Sequence, residues 1–200
     1  MIAEPTVYVV DDDAAVRKAV ASAGSLLGYP VKMYSSAIEF LTESNGDQQG
    51  CLVLDVKMPG MSGLELQRKL ADDGITLPVV MISGHADVRI AVEAMTLGAL
   101  TLLEKPFRLD ELLEQLRTAI QKDSTDRAAR GELANTKARL AALTAKEREV
   151  LDYVTSGWTN KAIAEKLELS VRAVEDRRAR LMRKVGAESL ADLIRLIGQQ

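Results

Sequence analysis

One cysteine and one histidine stand among 200 residues. A single thiol, Cys51, excludes any disulfide within the chain, and a reducing compartment is expected. Cys51 lies in an apolar run, where a thiol acts as a small buried hydrophobe rather than a nucleophile. The one histidine, His85, is expected in a surface loop. Aromatic residues make up only 4 %. They form no stacking platform for unpaired bases, which argues against RNA as a partner. No apolar run approaches the ~20 residues that cross a bilayer. No signal peptide is read at the start, so a cytoplasmic location with no membrane partner is expected.

Net charge is also scarce, at −3, but it is unevenly spread. Residues 1–122 carry −6, 123–143 carry +1 and 144–200 carry +2. An acidic front and a mildly basic back suggest two domains with different partners. The expected division is a first domain over 1–122, a helical linker over 123–143 and a second domain over 144–200.

The front half is organised around Cys51-Leu-Val-Leu-Asp-Val-Lys-Met-Pro-Gly-Met-Ser-Gly63. It opens as a short apolar run, ends on Asp55, and turns through Pro59, Gly60 and Gly63. Ser62 and Glu65 form a capping box, so a helix starts there. Further short strands are read at Val7–Val10, Val31–Tyr34, Leu77–Ile82 and Leu100–Leu103. Helical patterns follow each, including one opened by Ser36 and Glu39, one over about Asp87–Leu97 and one from Leu109 onward. Strand and helix alternate five times, which predicts a doubly wound α/β sheet.

Ligands of such sheets gather at the carboxyl ends of the strands. Those ends carry Asp11, Asp12 and Asp13, then Asp55, Ser83 and Lys105. Carboxylates crowded together repel, and Mg²⁺, a hard cation that prefers oxygen, relieves the repulsion. Lys105 and Ser83 supply a positive charge and a hydroxyl for phosphate oxygens. Asp55 is then free to attack phosphorus, giving an acyl phosphate.

This order of motifs resembles the receiver domain of two-component response regulators, from about Thr6 to Lys122. The resemblance implies a flavodoxin-like (βα)5 fold and Asp55 as acceptor of phosphate from a sensor histidine kinase. It implies Mg²⁺ held by Asp12, Asp55 and the backbone carbonyl of Lys57, with Asp11 helping through water. Ser83 and Lys105 would bind the phosphoryl oxygens, and the Lys105–Pro106 peptide would be cis. Receivers usually carry an aromatic switch residue three positions before the lysine; here that residue is Leu102.

Residues 123–143 are polar and alanine-rich, with a short heptad-like seam at Ala129, Leu133, Thr136, Leu140 and Leu143. A helix is expected, either a solvated spacer or a marginal dimer contact, with the spacer favoured. Beyond it, Thr144 and Glu147 form a capping box. The helix they open buries Val150, Leu151 and Val154. Trp158 is expected in the core. Thr159 and Ser170 cap two further helices joined by a three-residue turn, a helix-turn-helix. A fourth helix starts at Ser189. In the third helix, Val174, Leu181 and Val185 mark the buried side. Arg172, Glu175, Asp176, Ala179 and Arg183 lie opposite, flanked by Arg177, Arg178, Arg180 and Lys184.

The run from Leu143 to Glu175, with Asn160-Lys161 and Ser170-Val-Arg172, resembles the four-helix LuxR/NarL DNA-binding domain. Ala173 and Arg177 stand where that family usually has Thr and His. Together the halves look like a FixJ/StyR-type regulator. That implies double-stranded DNA as partner and a homodimer when phosphorylated. Lys161, Arg172, Arg177, Arg178, Arg180 and Lys184 would contact DNA, with Glu175 and Asp176 facing bases. Two other readings stay open at this point: a regulator independent of phosphorylation, favoured by Leu102, and an aspartyl-phosphate hydrolase.

Overall fold

A computed structural model describes residues 4–44, 46–84 and 88–198. The chain divides into two compact units, Met1–Arg127 and Ala128–Gln200.

The first unit is built on five parallel strands: β1 (Thr6–Val10), β2 (Val31–Tyr34), β3 (Gly50–Asp55), β4 (Val79–Ser83) and β5 (Thr101–Glu104). Their order is β2-β1-β3-β4-β5. The three inner strands are buried along their whole length, whereas β2 and β5 at the edges are partly exposed. This is why the inner strands read as unbroken apolar runs rather than alternating ones. Alternate residues feed two separate cores. Tyr8, Val10, Leu52, Leu54, Val79 and Met81 pack on one face with Phe40, Leu66 and Ala94. Val7, Val9, Cys51, Val53, Val80 and Ile82 pack on the other with Val20, Leu112 and Leu116. Each fully buried side chain of this size contributes about 1.5–3 kcal/mol.

The helices that cover these faces are α1 (Ala14–Leu26), α2 (Ala37–Glu43), α3 (Gly63–Asp72), α4 (Val88–Thr96) and α5 (Leu109–Ala141). Asp13 caps α1 by accepting the Ala15 N–H at 2.7 Å. Ser62 and Glu65 close the expected capping box at the start of α3. The box expected at Ser36 and Glu39 is only half formed. Ser36 accepts from the Glu39 N–H, but the Glu39 carboxylate reaches one residue further back, to the N–H and hydroxyl of Ser35 at 2.6 and 2.8 Å. The Glu39 carboxylate is thus held by Ser35 rather than by the N–H of Ser36. The expected start of the fourth helix at Asp87, and His85, lie outside the described residues.

The polar stretch from Asp123 continues α5 without a break to Ala141. Its first turn is not solvated spacer: Asp123 is buried, and the unit boundary falls after Arg127. Along the seam, Leu133, Thr136 and Leu140 are half-buried and Leu143 is buried, while Ala129 is exposed.

The second unit holds α6 (Ala145–Thr155), α7 (Asn160–Lys166), α8 (Val171–Val185) and α9 (Leu190–Gly198). Val150, Val154, Ile163, Val174, Leu181, Val185 and Leu193 make its core. Thr144, Thr159 and Ser170 cap α6, α7 and α8 as their sequence positions imply. Between α7 and α8, Glu168 takes a left-handed conformation (φ 54°), which turns the chain sharply. Trp158 is not core: it is 41 % exposed and leans on Tyr153, ring centroids 4.9 Å apart. Its place just after α6, beside the exposed Gly157 and Thr159, leaves one face of the indole in solvent.

Candidate functional site

β1 and β3 are neighbours, with Val10 opposite Leu54. The chain leaves β1 toward β2 and leaves β3 toward β4, so the crevice at their carboxyl ends is the topological switch point of the sheet. Asp11 and Asp55 stand there, 1 % and 4 % exposed. Lys105, just past β5, sends its ammonium between them. Its Nζ donates to Asp11 Oδ2 and to Asp55 Oδ1, each at 2.7 Å.

Backbone geometry holds both carboxylates in place. Asp11 Oδ1 accepts the Asp13 N–H at 2.8 Å, and Asp55 Oδ2 accepts the Lys57 N–H at 2.9 Å. Arg17 donates to the Asp11 carbonyl at 2.6 Å. Gly63 opens α3 hard against this strand: a Cβ there would lie 2.1 Å from the Asp55 carbonyl oxygen. Ser83 is buried at the end of β4, and its carbonyl accepts the Lys105 N–H at 2.8 Å. The Lys105–Pro106 peptide is cis.

Two buried acids share one cation, so the pocket is a net anion. Burial pushes the Asp55 carboxyl above the usual carboxylate range; Lys105 opposes this and Asp11 adds to it. Burial alone would lower the Lys105 ammonium, but its hydrogen bonds to both acids outweigh that and hold it charged. The single thiol, Cys51, is pushed up to about 12 by burial and is chemically quiet.

The structure thus brings Asp11, Asp55, Ser83 and Lys105 together. Asp12, the next residue in the chain, is exposed, and among the described residues no three acidic, histidine or cysteine side chains gather as a metal cluster. The Lys57 side chain is exposed as well. The donor set still fits a hard divalent ion. Asp11 and Asp55 present one oxygen each to a single cation position, now filled by the ammonium, and oxygen ligands suit Mg²⁺. Leu102 is half-buried and packs on the core shared with Ile90 and Ala94.

The second unit presents a different surface. On α8, Arg172, Glu175, Asp176, Ala179, Arg180 and Arg183 are exposed, and Lys161 is exposed on α7. Two of the expected basic contacts are tied down within the unit. Arg178 Nη1 donates to Asn160 Oδ1 at 3.0 Å, joining α8 to α7. Lys184 Nζ donates to Glu147 Oε2 at 2.7 Å, joining α8 to the capping box of α6. That contact, with the Thr144 N–H and hydroxyl, lowers the Glu147 carboxyl to about 2. The sequence offers no spacing rule for a pair 37 residues apart. Asp123 and Arg127 were missed for another reason: their i, i+4 spacing is legible, but their burial is not.

Comparison with known proteins agrees with both surfaces. Residues 7–117 match the response regulator receiver domain, and residues 141–197 match the bacterial regulatory proteins of the luxR family. The chain is 40 % identical to response regulator protein TmoT of Ectopseudomonas mendocina, over 96 % of this chain and 88 % of that one. It is 42 % identical to transcriptional regulatory protein FixJ of Rhizobium meliloti, over 96 % and 94 %. The solved structure of response regulator StyR superposes with a TM-score of 0.88 at 37 % identity, covering 99 % and 100 %. The chain belongs to the two-component response regulators that join a receiver domain to a LuxR-type helix-turn-helix, and it acts as a transcription factor. Among the described residues, no helix is long and apolar enough to cross a membrane.

Proposed function

We propose that Asp55 accepts a phosphoryl group from the phosphohistidine of a sensor kinase, and that the phosphorylated chain dimerises and binds DNA. The observation that carries this reading is the convergence of Asp55 Oδ1 and Asp11 Oδ2 on the Lys105 ammonium, 2.7 Å from each. The pocket has an oxygen nucleophile and a fixed cation at the switch point of the sheet. In the transfer, an Asp55 oxygen forms the new O–P bond as the N–P bond to the kinase histidine breaks. The product is an acyl phosphate. Lys105 follows the incoming charge, and the Ser83 hydroxyl donates to a phosphoryl oxygen. Mg²⁺, when bound by Asp11, Asp12, Asp55 and the Lys57 carbonyl, supplies charge neutralisation for the transferring group.

On the DNA side, Arg172, Arg177, Arg180 and Lys161 contact phosphates and set register, while Glu175 and Asp176 face base edges, where a carboxylate accepts from cytosine N4. Arg178 and Lys184 orient α8 through Asn160 and Glu147. Dimerisation uses the apolar stripe of α4, where Val88, Val92 and Met95 are 76, 59 and 50 % exposed. Two DNA-binding units then address half-sites one helical turn apart. The test is labelling with a small phosphodonor and Mg²⁺, followed by peptide mapping. The adduct is expected on Asp55 and lost in Asp55→Asn; an adduct that persists in that variant rejects the assignment.

A further inference from the structure

Among the described residues, a deeply buried ion pair outside the acid pocket lies at the opposite end of β3, the strand that carries Asp55. Asp123, on α5, has a side chain only 3 % exposed. Its Oδ2 accepts the N–H of Gly50, the first residue of β3, at 2.8 Å. Gly50 has φ +118°, and a Cβ there would sit 2.0 Å from the Thr6 carbonyl oxygen, so only glycine lets β3 begin this close to β1. Arg127, one helical turn on, donates Nε to both Asp123 oxygens at 2.9 Å. The same guanidinium donates through Nη2 to the carbonyl of Gln48. Two consecutive turns of α5 therefore grip the chain at the entry to β3.

Packing alone does not call for such a grip. A buried ion pair is often no more stable than an apolar replacement, and its clearest use is to fix one arrangement over others. Here the arrangement fixed is that of α5 on β3. The strand runs from Gly50 to Asp55, a rise of about 17 Å through stiff, fully buried backbone. Its far end carries the carboxylate that faces Lys105. The Cys51 thiol, next to Gly50, is raised by burial and then by the neighbouring Asp123.

We propose that Asp123 and Arg127 form a latch that seats α5 on the root of β3, so that a change at the Asp55 end of the strand is felt by α5 in the last turn before the second unit begins. Asp123 and Arg127 are positioning residues: neither touches the reacting atoms. The seating half of this proposal stands on the hydrogen bonds alone. The switching half rests on the reading of Asp55 as phosphoacceptor.

The experiment is hydrogen exchange by mass spectrometry on the full chain, with and without Mg²⁺ and beryllofluoride, for wild type, Arg127→Met and Asp123→Asn. Without beryllofluoride, amides of residues 124–141 are expected to exchange about tenfold faster in Arg127→Met, with β1 and β4 unchanged. Asp123→Asn keeps an acceptor for the Gly50 N–H and gives a smaller increase. This second variant also guards against misfolding of the first. Wild-type rates over 124–141 in both variants overturn the seating. With beryllofluoride, the exchange of 124–141 shifts in wild type and stays fixed in Arg127→Met, although Asp55 peptides respond in both. A full wild-type response in Arg127→Met overturns the switching half. No response at Asp55 peptides in wild type overturns the phosphoacceptor reading, and the switching half with it. The seating is decided separately by the rates without ligand.

Discussion

The two units each contain a lysine ammonium 2.7 Å from a buried carboxylate, and the electrostatic results are opposite. In the receiver, burial dominates and the Asp55 carboxyl is raised. In the DNA-binding unit, the Lys184 contact dominates and the Glu147 carboxyl falls to about 2. The contact length is the same, so it does not decide the outcome. Burial, together with the balance of charges and donors, does. Glu147 takes the ammonium, an N–H and a hydroxyl on one oxygen and has no rival acid among its partners. Asp55 shares its cation with Asp11 in a crevice that excludes water. The first arrangement is saturated and holds helices together. The second is under-neutralised, as the proposed metal binding and phosphoryl transfer require.

The sharpest way to break this contrast is to neutralise Asp55. Asp55→Asn is expected to abolish phosphoryl uptake, read by intact mass. Because the fold disfavours the ionised Asp55, the neutral side chain should leave the receiver's melting temperature unchanged or higher. A clear drop would mean that the carboxylate is structural, like Glu147. Removing the cation works in the other direction. Lys105→Met leaves two buried acids facing each other, at a cost of about 3 kcal/mol in denaturant melts without divalent ions. Millimolar Mg²⁺ is expected to recover most of that loss; no recovery would contradict the shared cation position.

The pH dependences should also have opposite signs. Glu147 has a folded pKa of about 2 against an ordinary value of 4.5. Its stabilisation is therefore complete above about pH 4.5 and lost as pH falls toward 2. Glu147→Gln should flatten the acid limb of the second unit's stability over that window, followed by the fluorescence of Trp158. Asp55 has a raised pKa, so the folded receiver binds that proton more readily than the unfolded chain, and its contribution grows as pH falls.

Smaller effects separate contact from support on α8. Replacing Arg172 or Arg180 by Gln should lower the salt slope of DNA binding by about 1 each. Lys184→Gln should weaken binding with the slope unchanged, because its charge is spent on Glu147. Equal slopes for all three variants would erase the distinction. Trp158→Phe is expected to cost no more than about 1 kcal/mol, since the indole gains little beyond its edge on Tyr153.

How much of this was legible in the sequence follows from the range of the interactions. The three inner strands were readable because a buried parallel strand is an apolar run ending in turn residues. The caps at Ser62, Thr144, Thr159 and Ser170 were readable because capping is local. Asp55 and Lys105 were readable because strand ends in this topology converge. The sharing of the cation was not, because it depends on which of Asp11 and Asp12 points inward. The Ser36 cap was readable, but its box is only half formed because the Glu39 carboxylate turns to Ser35. Trp158 was misassigned because hydrophobicity does not say which way a residue between two helices faces. The bonds Arg178–Asn160, Lys184–Glu147 and Asp123–Gly50 span 18, 37 and 73 residues, beyond any local rule.

The central claim is that Asp55 is the phosphorylated group and that its modification drives assembly. The most direct measurement is the mass of the full chain by sizing chromatography with light scattering, with and without Mg²⁺ and a small phosphodonor. A Mg²⁺-dependent shift from monomer to dimer that disappears in Asp55→Asn is the expected result. A dimer that forms equally without phosphodonor, or a shift that persists in Asp55→Asn, would contradict it.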